Sequence, residues 1–474
     1  MKLLQTMALV AFIALGCWGC TASKRTQSFD TVTSAVQERI GKEVIWGRPS
    51  EQLDQSLRNL LVNDLTADDA VQVALLRNHS LQALYEELSI AEADLIAAGL
   101  LSNPVFDGEV RFESGGSGTA LELAVVQNFL DVFFIPLRKR VASAAFDEAK
   151  TRVTLAVLEF SGEVRRRYIA YQAAEQLLDL RHTVLTATEA SYDLARRLHE
   201  AGNITDLELA NEQSLHEQSR INASAAELEA DVARERLNAV MGLWGDETSW
   251  SLTSRLPEPL VQDVTPQDFE RKAVAGSLDL EAARLGVSYA AARLGIAKPS
   301  ALFDDAGLGV AGDREVSGDW TVGPAFSLPL PLFNTGQTAA SKARAQLQQS
   351  WEHYTALAVQ IRAEARALYQ RMTNLHARAM HYREVVLPLR HRILEETQRQ
   401  YNAMQVGAFQ LLQAKQQEIE AGASYLATLR DFWLVQTDAE QLISGASVSG
   451  SRFEVRNARP PGLSEKLEQR GGEE

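Results

Sequence analysis

Residues Leu347 to Ile393 read LQQSWEHYTALAVQIRAEARALYQRMTNLHARAMHYREVVLPLRHRI. Apolar or small residues recur there at alternating four- and three-residue steps: Leu347, Trp351, Tyr354, Ala358, Ile361, Ala365, Leu368, Met372, Leu375, Ala379, Tyr382, Val386, Leu389 and Ile393. Gln, Arg, Glu, His and Ala fill most of the positions between. A 3.5-residue repeat keeps one seam on one side of a slightly underwound helix, so that helix must lie against other long helices. From Ala339 to Gln405 the chain has one proline, Pro388, and no glycine. At 1.5 Å per residue such a helix spans roughly 100 Å, longer than a compact domain of this size. An elongated object follows, with a function that uses length.

The rest of the composition narrows the class. The chain has 474 residues and a net charge of −15. It shows no basic stripe, which argues against nucleic acid as a partner. Its two cysteines, Cys17 and Cys20, both lie near the N-terminus, which excludes a disulfide framework and a cysteine metal site. The eight histidines form no HExxH motif and no cluster with carboxylates. Lys2 followed by the apolar run Leu3 to Leu15 reads as a signal peptide, residues 1–16. Ile13-Ala-Leu-Gly-Cys17 resembles a bacterial lipobox, so Cys17 is the expected lipidation site and the mature N-terminus, with Cys20 as the alternative. After residue 24 no apolar run is long enough for a membrane-spanning helix. If the chain crosses a membrane, strands must do it.

Read outward from the opening stretch, the chain repeats itself. Residues 17–65 form a lipid-anchored leader, read as extended. Thr66-Ala-Asp-Asp69 resembles a capping box and starts a helix through Leu75, Leu81, Leu88 and Leu95 that stops before Asn103-Pro104. Val105 to Phe112 alternates, with Asp107, Glu109 and Arg111 on one face and Phe106, Val110 and Phe112 on the other. Ser114-Gly-Gly-Ser-Gly118 turns the chain into a second strand. A helix from about Leu137 to Glu200, with Val164, Tyr171, Leu178, Leu185 and Tyr192 seven apart, breaks at Ala201-Gly202-Asn203 and returns to Met241. The order then recurs: helix from Thr265-Pro-Gln-Asp268, stop at Lys298-Pro299, strand Leu302 to Ala311, strand Trp320 to Leu328, the long helix, a break at Val406-Gly407-Ala408, and a last helix to Ile443. The offsets 299 − 104 = 195, 331 − 136 = 195 and 407 − 202 = 205 mark an internal duplication. The expected units are residues 66–264, with strands about 104–113 and 120–129, and residues 265–445, with strands about 301–311 and 319–329. Residues 446–474 read as a disordered tail.

Four strands of this length suit a tilted membrane crossing but cannot close a barrel, and open edges in lipid leave costly unpaired backbone groups. Two chains would give eight strands around a filled interior; three would give twelve and room for a channel. The fold class is therefore mainly α with a small β part, an internally duplicated helix-strand-strand-helix-helix.

Two motifs carry a resemblance. They are Val322-Gly-Pro-Ala-Phe-Ser-Leu-Pro-Leu-Pro-Leu-Phe-Asn-Thr-Gly336, with its counterpart Gln127 to Lys139, and Tyr401-Asn-Ala-Met-Gln-Val-Gly-Ala-Phe-Gln-Leu-Leu412. With them, residues 66–443 resemble the TolC family of trimeric outer-membrane channels, its lipoprotein members in particular. The resemblance implies a homotrimeric twelve-stranded barrel on an α-helical coiled-coil barrel in the periplasm. It also implies a periplasmic adaptor, an inner-membrane transporter of the resistance-nodulation-division type, and no cofactor beyond the lipid on the N-terminal cysteine. The adaptor-docking turns would be Ala201, Gly202 and Asn203 with Val406, Gly407 and Ala408. Where some members place aspartate rings that constrict the periplasmic end, this chain departs from the pattern with Gln413 and Gln416. Asp206 matches a family position near the first turn, either as an interhelix polar link or as a solvated capping acid. The expected function is the passive duct of a tripartite efflux pump; a type I secretion duct and a periplasm-spanning structural lipoprotein are the alternatives. No nucleophile–base or metal-ligand spacing points to an enzyme.

Overall fold

Thr66 and Thr265 each open a repeat in the same way. In the computed structural model, Thr66 caps α3 (Ala67–Arg77), accepting from the Asp69 N–H while Asp69 returns to the Thr66 N–H. Thr265 caps α7 (Pro266–Gly276), with Pro266 at the first helical position. Both helices then end at a polar residue that caps the next. Asn78 accepts from the Leu81 N–H to start α4 (His79–Ala97). Ser277 accepts from the Leu280 N–H at the head of α8 (Leu278–Phe303). These breaks, 199 residues apart by 277 − 78, interrupt what the sequence reading takes as single helices.

The described residues are 25–47, 51–62, 64–112, 119–128, 131–252, 255–259, 265–303, 306–330, 332–333 and 335–448. The signal peptide, Cys17 and Cys20 lie outside them. The leader expected to be extended is helical where described: α1 (Arg25–Ile40) and α2 (Glu51–Val62). Phe29, Val32 and Val36, at helical spacing, go into the first repeat's core beside Leu75, Tyr85, Val164 and Met241. The Arg39 guanidinium donates to the Gly276 and Ser444 carbonyls, at 2.8 and 2.7 Å, and so ties the leader to the helix ends of the second repeat.

After α4 come β1 (Val105–Phe112) and β2 (Thr119–Gln127), then α5 (Asp131–Glu200), a 70-residue helix about 105 Å long, and its return α6 (Asp206–Met241). Pro136 lies inside α5, so the helix starts earlier than expected. Pro299 likewise lies inside α8, which runs on to Phe303. Proline disfavours a helix interior without forbidding it, and packing on α5 and on the long helix that follows holds α8 together. The third strand is therefore β3 (Gly307–Arg314), later than the expected 301–311. Next are β4 (Trp320–Ser327), α9 (Gln337–His381), a π-helical turn (Tyr382–Val386), α10 (Leu387–Asn402) and α11 (Ala408–Ser444). The opening stretch is thus one long helical path with a wider turn just before Pro388. A proline there lacks the N–H for the regular ladder, and a single π turn absorbs the mismatch.

The seam buries Ile361, Ala365, Leu368, Met372 and Ala379, which join Phe269, Phe432 and Leu442 in the second core. The expected tail begins later than residue 446. Ala446 is fully buried, the Ser447 N–H donates to Asp279, and the Val448 N–H donates to Glu364. Residues 449–474 are outside the described part.

Candidate functional site: sheet faces and hairpin tips

The strands form one antiparallel sheet in the order β1-β2-β3-β4, with β1 and β4 at its open edges. Residues directly opposite across an antiparallel pair project to the same side. The register therefore sorts the sheet into two faces. Phe106, Val110 and Phe112 share a face with Leu121, Leu123 and Val125, then Leu308 and Val310, then Trp320, Val322 and Phe326. The opposite face carries Asp107, Glu109, Arg111, Glu122 and Asp313 among mostly small residues: Ala120, Ala124, Gly309, Ala311, Thr321, Gly323, Ala325 and Ser327. Gly309 is needed for the close approach of β3 to β2, since a Cβ there would lie 2.1 Å from the Val125 carbonyl oxygen. On the polar face Arg111 joins Glu109 and Glu122 at 2.9 and 2.8 Å.

Among the described residues nothing covers the apolar face. Phe112 and Val322 are exposed, and Phe326 is 83% exposed. Further apolar side chains are exposed at the strand–helix junction: Leu100, Leu101, Phe133, Leu330, Leu332 and Phe333. No helix among the described residues is long and apolar enough to cross a membrane.

At the other end of the long helices are two tips. In the first, Gly202 takes a left-handed conformation (φ 76°), the Asn203 N–H closes on the Leu198 carbonyl at 2.8 Å, and Thr205 caps α6 with Glu208 reciprocating. In the second, the left-handed residue is Met404 (φ 58°), the Gln405 N–H closes on the Gln400 carbonyl at 2.9 Å, and Gly407 occupies the cap position. Gly407 has φ −85°, so it does not serve as the helix-ending glycine. Gly202 corresponds to Met404 and Thr205 to Gly407, both by an offset of 202. The expected pairing of Gly202 with Gly407 is corrected accordingly. A search for the cap and its partner three residues on, Thr205/Glu208 and Gly407/Gln410, finds the true alignment where a search for glycine does not.

Ala201, Gly202, Asn203 and Gly407 are exposed; Val406 and Ala408 are half-buried. Apolar side chains also reach solvent here: Leu207, Phe409 and, at 94% exposure, Met404. Asp206 makes an interhelix link, its Oδ1 lying 2.6 Å from His199 Nε2 on α5. Gln413 and Gln416 are exposed on α11 and, three apart, share a face. They are not joined to Asp206, whose partner is His199. Two residues to which the sequence assigns no role stand nearby. Lys415 reaches from α11 to Ser191 of α5 and Glu212 of α6. The Tyr401 phenol is pushed up by burial and by the negative charge of Glu208 and Glu212. Among the described residues no trio of His, Cys, Asp and Glu is grouped as metal ligands would be.

No family model matches the chain. The fusaric acid resistance protein FusA of Burkholderia cepacia is 28% identical over 198 residues, which is 39% of this chain and 36% of that protein. The chain thus aligns with little more than a third of that curated relative. Solved structures match over far more. CusC, described in terms of folding and transmembrane channel formation, superposes with a TM-score of 0.65 at 16% identity, over 82% of this chain and 94% of its own. The open state of the outer membrane channel MtrE of Neisseria gonorrhoeae gives 0.56 at 18% identity, over 82% and 91%. At such identities the likeness is one of fold.

Proposed function

From the fold this chain shares with the TolC-like outer membrane efflux channels, we propose that it is the outer membrane duct of a tripartite efflux pump. The observation that carries the reading is the two-faced sheet. Among the described residues it is apolar on one side, small and polar on the other, open at both edges and covered on neither face. In lipid every backbone group needs a partner, so such a sheet must be completed by other copies. Three copies supply twelve strands, the apolar face outward and the polar face around a lumen. The long helices would continue the cylinder through the periplasm. Exposed apolar side chains on α6 (Ile221, Leu228, Val232) and on the last part of the long helix (Val385, Leu389, Ile393) would meet neighbouring copies. The wall performs no chemistry; it surrounds solute with water and polar groups. The name of the FusA relative favours resistance by export over protein secretion.

On this reading Cys17, or Cys20 in its place, carries the lipid. The tips receive a periplasmic adaptor served by an inner-membrane transporter of the resistance-nodulation-division type. The docking turns are Ala201, Gly202 and Asn203 with Val406, Gly407 and Ala408, to which the corrected alignment adds Met404. Asp206, Gln413 and Gln416 stand where a constriction would form. Placing Arg at Val322 or Phe326 should cost about 2–4 kcal/mol near the bilayer midplane and cut the yield of membrane-assembled trimers. Arg at Ala325, on the polar face, should not. Equal yields from both faces would refute the barrel. Gly407→Trp tests docking separately. Its backbone is unstrained, so intact trimers with lost pump-dependent resistance are expected, and retained resistance would remove the second tip from the docking surface.

A further inference from the structure

Along the body of the helices arginines sit in ion pairs, such as Arg152 with Glu148, Arg166 with Asp438 and Arg399 with Glu396. Close to the sheet this changes. Lys139 and Arg140 on α5, Lys298 on α8, and Lys342 and Arg344 on α9 are exposed. Among the described residues their side chains engage no carboxylate and no hydrogen-bond acceptor. They stand at one height. The sheet-side helix ends are Asp131, Phe303 and Gln337, so each cation is five to nine residues, about 7–14 Å, from its helix end. Because α5 packs on α8 and α8 on α9, the five make a belt across one copy. On the sheet side of the belt are the exposed Leu100, Leu101, Phe133, Leu332 and Phe333. Two lysine stems lie against this apolar junction. A Cβ at Gly99 would be 2.5 Å from Lys139 Cε, and one at Gly336 3.1 Å from Lys298 Cγ. A lysine lays its methylenes along apolar surface and keeps its ammonium in the polar phase. Over the junctions as a whole, residues 95–104, 128–146, 291–306 and 328–351, cations outnumber acids seven to three, in a chain of net charge −15.

We propose that this belt binds the phosphate groups of anionic phospholipids in the membrane leaflet that faces the helices. The proposal rests on the reading of the sheet as a lipid-embedded barrel and adds the chemistry of the lipid that collars it. Along the helix axis the order is apolar sheet face, apolar junction, unpaired cations and then mixed charge. Across a leaflet the order is acyl chain, interface, phosphate and water. The two sequences match step for step. An anionic leaflet attracts each Lys or Arg near its surface, and the attraction fades within a Debye length. A zwitterionic headgroup brings a phosphate already balanced by its own ammonium, so the belt favours a lipid with net negative charge. A second copy of the chain is the competing occupant, and it would have to answer these cations with carboxylates.

The test reconstitutes the full-length assembly in phosphatidylcholine vesicles holding a trace of spin-labelled phosphatidylglycerol or spin-labelled phosphatidylcholine. The motionally restricted fraction of each label gives a relative association constant. Wild type at low salt should favour phosphatidylglycerol by about threefold or more. In about 0.5 M NaCl that preference should fall toward unity. Combining Lys139→Gln, Arg140→Gln, Lys298→Gln, Lys342→Gln and Arg344→Gln should abolish it. Arg392→Gln, which removes an exposed cation on α10, should leave it intact. If the fivefold variant fails to assemble, Lys342→Gln with Arg344→Gln should still lower the preference measurably. No preference in wild type, a preference indifferent to salt, or one kept in full after neutralisation overturns the belt. Trimers that fall apart on neutralisation, with no lipid preference in wild type, assign the cations to a neighbouring copy and also overturn it. Restricted lipid without headgroup preference sinks the belt and leaves the barrel standing; no restricted lipid with either label sinks the barrel and the belt with it.

Discussion

The first and second hairpins follow one backbone plan and meet it with different residues. Both tips use a left-handed residue, a closing bond to a carbonyl five residues back, and a cap three residues beyond. The first supplies these with Gly202 and with Thr205, whose hydroxyl and Glu208 form a full capping box. The second supplies them with Met404 and with Gly407, which has no side chain to cap with and receives only Gln410 at its N–H. After a duplication, backbone geometry is held by packing on both sides of the turn, while the identities that once favoured it can drift. The second hairpin meets the plan with a left-handed Met404 and exposed apolar surface, the first with a glycine and polar closure.

The largest expected effect comes where the repeats are joined. Arg166 of α5 is mostly buried, holding Asp438 and Gln441 of α11. Burial pushes the Asp438 carboxyl above its ordinary range, and the charge of Arg166 pulls the other way. Arg166→Met leaves that carboxylate buried without its cation and should cost about 3 kcal/mol. Asp438→Asn should cost clearly less, because it removes a charge that burial already disfavours and keeps an acceptor. Thermal melting of the assembled protein at neutral pH decides the order. Equal losses would mean that the ion pair does not join the repeats. The sign with pH follows from the raised value: the folded state takes up this proton before the unfolded chain does. Acid should therefore stabilise wild type through this group, leave the non-titrating Asp438→Asn unmoved, and widen the gap between them.

The tips give the next effect down. Gly202→Val places a branched side chain at φ 76° and should cost about 1–2 kcal/mol of first-hairpin stability. Gly407→Val, at an ordinary φ but a poorer cap residue, should cost less, about 0.5–1 kcal/mol. Met404→Gly should be mildly stabilising, by less than about 1 kcal/mol, because relief of the left-handed strain is partly offset by the entropy of glycine. If Gly407→Val proves the more damaging, the two tips are not the backbone equivalents that the offset of 202 makes them.

The sequence showed the large pattern because the pattern is periodic. Seven-residue seams, two-residue alternation in Val105–Phe112 and Trp320–Ser327, and the caps at Thr66 and Thr265 are read from identity alone. What escaped depends on choices that several residues could fill. Asn78 and Ser277 look like surface residues inside a helix until their caps are seen. Pro136 sits just before the expected start of α5 and Pro299 at the expected end of α8, yet both helices run through their proline. Nothing local marks Met404 as left-handed; its conformation is imposed by the two helices it joins. Lys415 lies on a helix face where a solvated lysine is the ordinary reading, and only the approach of α5 and α6 gives it partners.

The smallest effect separates the hairpins by pH. His391 of α10 places Nδ1 2.9 Å from Glu418 of α11 and Nε2 3.4 Å from Glu395 of its own helix. The hydrogen bond to Glu418, then the charges of Glu395 and Glu418, hold its pKa above the ordinary histidine value. A raised folded value means that the clasp contributes fully below the unfolded pKa of about 6.5 and fades as pH rises through the folded one. The ring is solvent-exposed and screened, so the change belongs to local opening and not to global unfolding. Amide exchange across residues 391–418, corrected for intrinsic rates, should become faster between about pH 6 and 8 in wild type. In His391→Gln that dependence should flatten. Exchange in residues 190–215 should be the same in both proteins, because the first hairpin closes through its own pair, His199 and Asp206. A pH dependence that survives His391→Gln would move the titrating group elsewhere, and one that changes in both hairpins together would couple the tips more tightly than a single lysine can.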